Sequence, residues 1–155
     1  MCSSDLNETT GLNYTIREVV IIASMIEKET GGVDDSYMIS HVIYNRLKNP
    51  QTYIYLGIDA TIYYALGGNL DPNTGLPKPL TKEDLAIDHP YNTYNHKGLP
   101  PGPIANPGIK AIKAAIEPEQ TGYFYYALGD DGVHHFFKDY NGQVNFINSQ
   151  KLYQK

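Results

Sequence analysis

The sequence predicts an α+β domain: a mostly helical fold with a small antiparallel β element at its C-terminal end and a long Pro/Gly-rich loop. Three observations support this prediction. Two capping boxes precede apolar runs with helical spacing. Two short aromatic-rich runs flank an Asp-Asp-Gly turn, as in a β-hairpin. Eight of the ten prolines fall between Pro72 and Pro107, which indicates a long irregular segment in mid-chain.

The first helix is the clearest predicted element. Thr15 and Glu18 form a capping box at its start, and the apolar run behind them ends at Gly31-Gly32. Apolar side chains occupy nearly the whole circumference of this helix, so we expect it to be central and buried.

Four further helices, a hairpin and a weaker terminal helix follow in chain order. The helices are predicted over residues 36–48, from Asp59 as N-cap to Gly67-Gly68, after the capping box at 81–84, and from Asn106-Pro107 to Glu117. The hairpin is predicted over residues 122–128 and 133–137. Val144, Ile147 and Leu152 indicate a terminal helix, and Gly142 argues against an early start for it.

Composition and charge exclude several classes of protein. Lys and Arg total 12 against 17 Asp and Glu, so the net charge of -5 leaves no basic surface for nucleic acid or an anionic membrane. The single cysteine, Cys2, cannot form an internal disulfide or a multi-thiolate metal site. No apolar run is long enough for a membrane span, and the first residues lack a signal peptide. We expect one domain over residues 14–155, preceded by a linker or cloning remnant at 1–13.

Two glutamates of the first helix are candidates for acid/base chemistry. Glu27 and Glu29 belong to an otherwise apolar helix, where desolvation raises the pKa of a carboxyl group and suits it to donate a proton. They lie about 200° apart on the helix wheel, so they are not a facing pair of carboxylates. Their local surroundings in the sequence do not distinguish them. The alternative, a glutamate reaching solvent or Arg46, is equally open for both.

Other catalytic constellations have little support. His134 and His135 are adjacent in a predicted strand and point to opposite faces, so they cannot readily share a metal ion. A triad of Ser24, His41 and Asp59 lacks a nucleophile elbow. No phosphate-binding glycine loop follows a strand. We therefore expect neither a metal nor a cofactor.

The proline-rich segment is predicted to form a rigid binding wall. Its prolines stiffen the backbone, and hydrogen-bonding side chains are interleaved with them. Those side chains are Tyr91, Asn92, Tyr94, His96 and Asn106. The alternative is an ordinary surface loop.

Four stretches carry a resemblance to a known family. They are Ala23-Ser24-Met25-Ile26-Glu27-Lys28-Glu29-Thr30, Val42-Ile43-Tyr44-Asn45-Arg46-Leu47, Tyr91-Asn92-Thr93-Tyr94, and the long block from Gly98 to Gly108. Together they resemble the endolytic murein transglycosylase family, also called YceG-like proteins. The resemblance extends from about Tyr14 to Lys138 and includes His134.

The resemblance implies a bacterial lytic transglycosylase that acts on nascent peptidoglycan. Such an enzyme cleaves the β-1,4 bond between N-acetylmuramic acid and N-acetylglucosamine within the strand and leaves a 1,6-anhydromuramyl end. In the family one glutamate acts as acid and base, a role the resemblance gives to Glu27. The candidate substrate-binding residues are Asn45, Asp59, Tyr91, Asn92, Tyr94 and Asn106. No metal or cofactor is implied.

The resemblance also implies where and with what the protein works. Relatives act at the extracytoplasmic face of the bacterial cell membrane, held there by an anchor that precedes a LysM-like domain. Neither segment is recognised in these residues, so we expect no membrane contact by this part of the chain. Glycan strands are the expected partner, with cell-wall synthases as further candidates.

One departure from the family pattern keeps two alternatives open. Relatives commonly have Leu-Gln-Thr-Asp-Pro-Thr where residues 56–61 read Leu-Gly-Ile-Asp-Ala-Thr, so any contact from that glutamine is absent. A non-catalytic glycan-binding or scaffolding module of the cell-wall synthesis machinery is the first alternative. A hydrolase that uses Glu27 with Asp59 as a second carboxylate is the other.

Overall fold

The computed structural model describes residues 13–30, 35–118 and 120–151 and confirms a mostly helical α+β domain. The helices are α1 (Ile16–Glu29), α2 (Ser36–Lys48), α3 (Asp59–Ala65), α4 (Lys82–Leu85), α5 (Ile109–Ile116) and α6 (Tyr140–Ser149). The strands are β1 (Tyr125–Leu128) and β2 (His134–Phe137). They form an antiparallel hairpin in which Tyr126 pairs with Phe136 and Leu128 with His134.

Helix α1 is the central element, as its all-round apolar pattern predicts. Every residue from Ile21 to Ile26 is buried, and α2, α3 and α5 pack around it. The capping box at its start is confirmed, because Thr15 Oγ1 accepts from the N–H of Glu18. Ala114 and Ala115 of α5 have no exposed surface, and such small side chains let helix axes approach closely.

Polar groups within this helical core are paired over long sequence distances. Ser24 Oγ donates to the carbonyl of Ile21 at 2.7 Å and accepts from the N–H of Ile104 at 3.0 Å. Tyr44 donates through its hydroxyl to the carbonyl of Ala115 at 2.7 Å. Because a buried polar group without a partner is costly, these bonds fix how α1 and α2 meet the rest of the chain.

The proline-rich segment, residues 66–108, is irregular apart from α4 and is held by its own side chains. Asn92 is fully buried and donates through Nδ2 to the carbonyls of Leu85 (3.0 Å) and Ile87 (2.8 Å). Thr93 is also buried, and its Oγ1 accepts from the N–H of Ile58 at 2.8 Å. These bonds anchor the segment beside the start of α3.

Two predicted helix starts are corrected by one or two residues. Asp59 is the first helical residue of α3 and not its N-cap, a position that Ile58 occupies. The N-cap of α5 is Gly108 and not Asn106. The extended backbone at Gly108 points its N–H at Glu27 Oε2, so the chain turns into the helix only afterwards.

The terminal helix begins earlier than Gly142 suggested. Asp139 is the N-cap of α6, and its carboxylate accepts from the N–H of Gly142 at 2.8 Å. The glycine therefore serves the cap as a donor in the first turn. Leu152 and the predicted stop at Gly31-Gly32 lie outside the described residues; α1 ends at Glu29 with Thr30 as its C-cap. In the part of the chain that the structure describes, no helix is long and apolar enough to cross a bilayer.

Candidate active site

A cavity of about 270 Å³ lies where the end of α1 meets α2, the start of α3 and the hairpin. The polar side chains that line it are Glu29, Arg46, Asp59, Tyr94, Tyr126, His134 and Gln143. We call it the Glu29 cavity. It brings together residues that are widely separated in the sequence, from α1, α2, α3, the proline-rich segment and both strands.

Glu29 is the carboxyl group at the centre of this arrangement. Its Oε2 accepts from the hydroxyl of Tyr126 at 2.9 Å, and its Oε1 accepts from the N–H of Ala60 at 3.2 Å. Burial raises the pKa of Glu29, and the nearby Asp59 raises it further, against the lowering effect of those hydrogen bonds and of His134. A carboxyl group with a raised pKa can hold a proton near neutral pH and donate it.

Asp59 and Tyr94 form the second polar pair of the cavity. The phenol of Tyr94 donates a short hydrogen bond to Asp59 Oδ1. Burial and the Asp59 carboxylate raise the pKa of Tyr94 far above its ordinary value, so this phenol stays protonated. The pair places one carboxylate and one hydroxyl beside Glu29, where sugar hydroxyls could find both donors and acceptors.

Arg46 holds the wall of the cavity together. Its Nε donates to the carbonyl of Phe124 at 2.6 Å and its Nη1 to that of Leu56 at 2.8 Å. The guanidinium also lies 4.7 Å from the ring centroid of Tyr125. Burial lowers its pKa, yet an arginine keeps its charge in proteins. Arg46 therefore joins the hairpin to residue 56 and leaves a cation beside the Glu29 cavity.

A larger cavity of about 670 Å³ adjoins the first one and shares Glu29 and Asp59 with it. Besides Lys28, its other walls are mainly tyrosine and apolar side chains, among them Tyr63, Tyr64, Leu70 and Pro77. We call it the tyrosine cavity. The carboxyl groups of Glu29 and Asp59 thus lie between the two cavities.

Glu27 lies on another side of α1 and lines neither cavity. Its side chain is exposed, and its Oε2 accepts from the N–H of Gly108 at 3.1 Å. The sequence predicts the same apolar surroundings for both glutamates. This prediction is wrong for Glu27, whose carboxyl lies in solvent beside Gly108, the N-cap of α5.

The other sequence candidates divide between the cavities and the framework. Asn45 donates through Nδ2 to the carbonyls of Thr121 (3.0 Å) and Tyr123 (2.8 Å), so it tethers the chain before the hairpin and does not line either cavity. Asn92, described above, is a buried framework residue as well. Of the six predicted substrate-binding residues, the geometry brings Asp59 and Tyr94 to Glu29.

Tyr91 and Asn106 have different surroundings from these two. Tyr91 packs against Tyr64 with ring centroids 4.8 Å apart, which places it behind a wall of the tyrosine cavity. Asn106 is exposed and is not among the residues that line either cavity. Neither residue touches Glu29 through any hydrogen bond that the described structure contains.

In the described residues, neither the histidine metal site nor the Ser24–His41–Asp59 triad considered above is assembled. His134 and His135 bond to different partners, Asp35 and Asp131, as expected for opposite faces of a strand. Within the described ranges, no three His, Cys, Asp or Glu residues are grouped to hold a metal ion. The triad candidates Ser24, His41 and Asp59 bond elsewhere, to Ile21, Thr121 and Tyr94.

Sequence reasoning missed Tyr126 and did not assign His134 a place in the site. Residues 126 and 134 are diagonal neighbours on one face of the hairpin, since Tyr126 pairs with Phe136. That face could have been predicted from the turn position and strand alternation. Its packing against α1 depends on the tertiary fold.

Comparisons with known proteins identify relatives of this chain. The YceG-like family model matches residues 3–148. The chain is 36% identical over 141 residues to an endolytic murein transglycosylase of Bacillus subtilis, covering 91% of this chain and 34% of that protein. It is 36% identical over 114 residues to the protein of that name from Streptococcus pneumoniae serotype 2, covering 74% of this chain and 20% of the relative. The chain thus spans about a third or less of the curated relatives it matches.

A solved structure is similar over most of the chain. The crystal structure of a yceG-like protein from Listeria monocytogenes superimposes with a TM-score of 0.76 at 35% sequence identity. The superposition covers 92% of this chain and 43% of that one. The fold described above is therefore shared with a protein whose coordinates come from experiment.

Proposed function

This chain belongs to the YceG-like family, and on that premise we propose that it is the catalytic domain of an endolytic murein lytic transglycosylase. The proposed substrate is the glycan strand of peptidoglycan, cleaved at the β-1,4 bond between N-acetylmuramic acid and N-acetylglucosamine. The proposed product carries a 1,6-anhydromuramyl end. The observation that carries the proposal is Glu29, a carboxyl group whose pKa is raised by burial and which lines both cavities.

The reaction needs one acid/base group, and we assign that role to Glu29. Protonated Glu29 gives its proton to the glycosidic oxygen as the bond from that oxygen to the muramyl C1 breaks. The carboxylate then takes the proton of the muramyl C6 hydroxyl, whose oxygen forms the new bond to C1. The substrate supplies its own nucleophile, so no water has to be activated.

Three features of the Glu29 surroundings support this assignment. Burial and Asp59 raise the pKa of the carboxyl, which favours the protonated form that the first step needs. Tyr126 and the N–H of Ala60 hold both carboxyl oxygens, so the group is already oriented when substrate arrives. Asp59 and Tyr94 are proposed to bind sugar hydroxyls beside it.

Glu27, which the motif resemblance favours, is the rival assignment within the same four-residue motif. Its carboxyl is exposed, accepts from the N–H of Gly108 and lines neither cavity. The roles of Asn45 and Asn92 are proposed to be structural, because their amides are engaged by backbone carbonyls.

The place of action follows from the proposed substrate. Murein lies outside the cytoplasmic membrane, so the domain is proposed to work at the extracytoplasmic face. The relatives are named for an action on murein, which supports glycan strands as the partner of this chain. Cell-wall synthases are proposed as further partners from the family resemblance.

A hydrolase is the second candidate function, and Asp59 is the observation that favours it. Asp59 and Glu29 line the same cavity, and two carboxylates can activate water for hydrolysis of a glycosidic bond. A hydrolase would leave reducing muramyl ends with no anhydro bridge. The chemical identity of the new end therefore separates the two reactions.

The test is digestion of purified peptidoglycan followed by mass spectrometry of the released fragments. We expect 1,6-anhydromuramyl ends from the wild-type chain and none from Glu29→Gln, with Glu27→Gln as the matched control that still cleaves. Reducing ends would favour the hydrolase. Glycan binding without cleavage, measured by pull-down with insoluble peptidoglycan, would favour a non-catalytic binding module. Undiminished cleavage by Glu29→Gln would refute the role of Glu29.

A further inference from the structure

The Asp35–His134 pair is an ionisable cluster that the mechanism above does not use. Asp35 is the N-cap residue of α2, but its side chain makes no capping hydrogen bond. Instead its Oδ2 accepts from His134 Nδ1 at 2.5 Å, with 8% and 10% of the two side chains exposed. The pair therefore joins the start of α2 to strand β2 close to the end of α1.

This bond fixes which ring nitrogen of His134 carries a proton. An ionised aspartate can only accept, so Nδ1 must donate, as in triads where an aspartate orients a histidine. Its other oxygen, Oδ1, is buried without a hydrogen-bond partner in the described structure. The Oδ2–Nδ1 bond is therefore the side-chain contact that holds the carboxyl group and the ring against each other.

His134 in turn contacts the residue that bonds to Glu29. Its ring meets the Tyr126 ring edge to face, with centroids 5.5 Å apart and planes at 84°. The Tyr126 ring also packs against Phe136, at a centroid distance of 6.1 Å. The backbone carbonyl of Tyr126 accepts from Gln143 Nε2 at 2.8 Å. The Tyr126 phenol donates to Glu29 Oε2 at 2.9 Å. A continuous set of contacts thus runs from Asp35 to Glu29.

We propose that Asp35 and His134 are positioning residues for Glu29: Asp35 holds the histidine ring, and the ring holds the Tyr126 phenol in place as donor to Glu29. The inference rests on the proposed role of Glu29 in the reaction. His134 itself is assigned no proton transfer with the substrate. Its effect on Glu29 has two parts, the orientation of the phenol and the electrostatic effect of the ring on the carboxyl group.

Both parts act in the same direction on Glu29. The hydrogen bond from Tyr126 and the electrostatic effect of His134 both lower the pKa of Glu29. The other charged or titratable groups that share the cavity with Glu29 are Asp59 from α3, Arg46 from α2 and Tyr94 from the proline-rich segment. Asp59 raises the pKa of Glu29, so His134 and Asp59 oppose each other. Loss of His134 is then expected to raise the pKa of Glu29.

The first readout needs no turnover. In the wild-type chain and in His134→Asn, the Glu29 carboxyl is titrated by ¹³C NMR, with Glu29→Gln used to assign its signal. Asparagine can keep an N–H toward Asp35 but removes the ring. We expect the pKa of Glu29 to rise by about one pH unit. His135→Asn is the matched control, because His135 also pairs with an aspartate but lies on the opposite face of β2.

The second readout shows whether His134 acts through Tyr126. Tyr126→Phe removes one oxygen and keeps the packed ring, so it also serves if His134→Asn does not fold. We expect Tyr126→Phe to raise the pKa of Glu29, and we expect the double variant to shift it by less than the sum of the single shifts. In turnover, kcat should fall about 10- to 100-fold with little change in KM. The high-pH limb of the rate profile should move to higher pH.

Some results would overturn this inference. They are an unmoved Glu29 titration in both Tyr126→Phe and His134→Asn, an equal shift in His135→Asn, or strictly additive shifts in the double variant. A wild-type chain that releases no anhydromuramyl ends would instead overturn the proposed function, and the NMR titration would still report on the contacts to Glu29. The two failures are therefore distinguishable.

Discussion

The two sides of the last turn of α1 carry the same residue type in opposite environments. On one side Glu29 meets α3 and the hairpin, and its two oxygens are held by Ala60 and Tyr126. On the other side Glu27 reaches solvent and accepts a bond from Gly108. Helix α1 alone offers both carboxyls the same intrinsic chemistry. What packs against each side decides which of the two carboxyls lines the cavities and which reaches solvent.

The largest expected difference between the two sides is catalytic. Glu29→Gln should lower kcat by about 10²- to 10⁴-fold, the usual contribution of a general acid. Glu27→Gln should leave kcat within about threefold, because an exposed carboxyl contributes little to a buried reaction centre. Both rates are measured on the same peptidoglycan by counting new glycan ends with time. A larger loss in Glu27→Gln than in Glu29→Gln would reverse the comparison.

A second difference concerns the charge that faces Glu29. Asp59→Asn removes a carboxylate that raises the pKa of Glu29, so that pKa should fall by about one unit. Because the protonated form is the one that donates, the high-pH limb of kcat/KM should move to lower pH. Asp88→Asn, at an exposed position that lines neither cavity, is the control. A shift to higher pH in Asp59→Asn would contradict the assigned electrostatics.

Substitution of the two glutamates should also affect the free energy of unfolding differently, and the effect at Glu29 should depend on pH. Burial raises the pKa of Glu29 in the folded chain, so the folded state binds more protons than the unfolded state between the two pKa values. Stability therefore falls as pH rises through that window. Glu29→Gln should raise the free energy of unfolding by about 1 kcal/mol at pH 7.5. The gain should disappear below the ordinary pKa of glutamate.

Urea denaturation at pH 7.5 and at a pH below the ordinary pKa of glutamate checks this prediction. Glu27→Gln is the control and should change stability by less than about 0.5 kcal/mol at either pH. A loss of stability in Glu29→Gln at neutral pH would mean that the ionised carboxylate is structural.

A last expected difference comes from one glycine on each side. Gly57 borders the Glu29 cavity and has a φ of +62°. A Cβ added there would lie 3.5 Å from Tyr94 Cε1. Because the left-handed backbone disfavours a side chain, Gly57→Ala should cost about 1–2 kcal/mol of stability. Gly108 has an ordinary φ of -75°, and its Cβ would meet Glu27 Oε2 at 3.5 Å, a normal contact. Gly108→Ala should change stability by less than about 0.5 kcal/mol. Thermal unfolding of the two variants gives the ranking, and an equal cost would contradict it.

Much of the fold could be predicted from local signals. The capping boxes at Thr15 and Thr81, the apolar circumference of α1 and the turn of the hairpin each depend on neighbours within a few residues. The two errors at helix starts have different causes. Gly142 has a low helix propensity, but its N–H is the donor that Asp139 needs as a cap. The start at Asn106 failed because Gly108 bonds to a helix 81 residues away in sequence.

The sequence by itself determined the class of the domain, its family motif and the two carboxyls that could act. Only the tertiary structure separated Glu29 from Glu27 and brought Asp59, Tyr94 and Tyr126 to one cavity. Helical periodicity reports which side of a helix is apolar, but desolvation and charge at a carboxyl depend on segments distant in sequence. The pKa of Glu29 depends on residues 31 and 97 positions away, at Ala60 and Tyr126, and no local pattern contains that information.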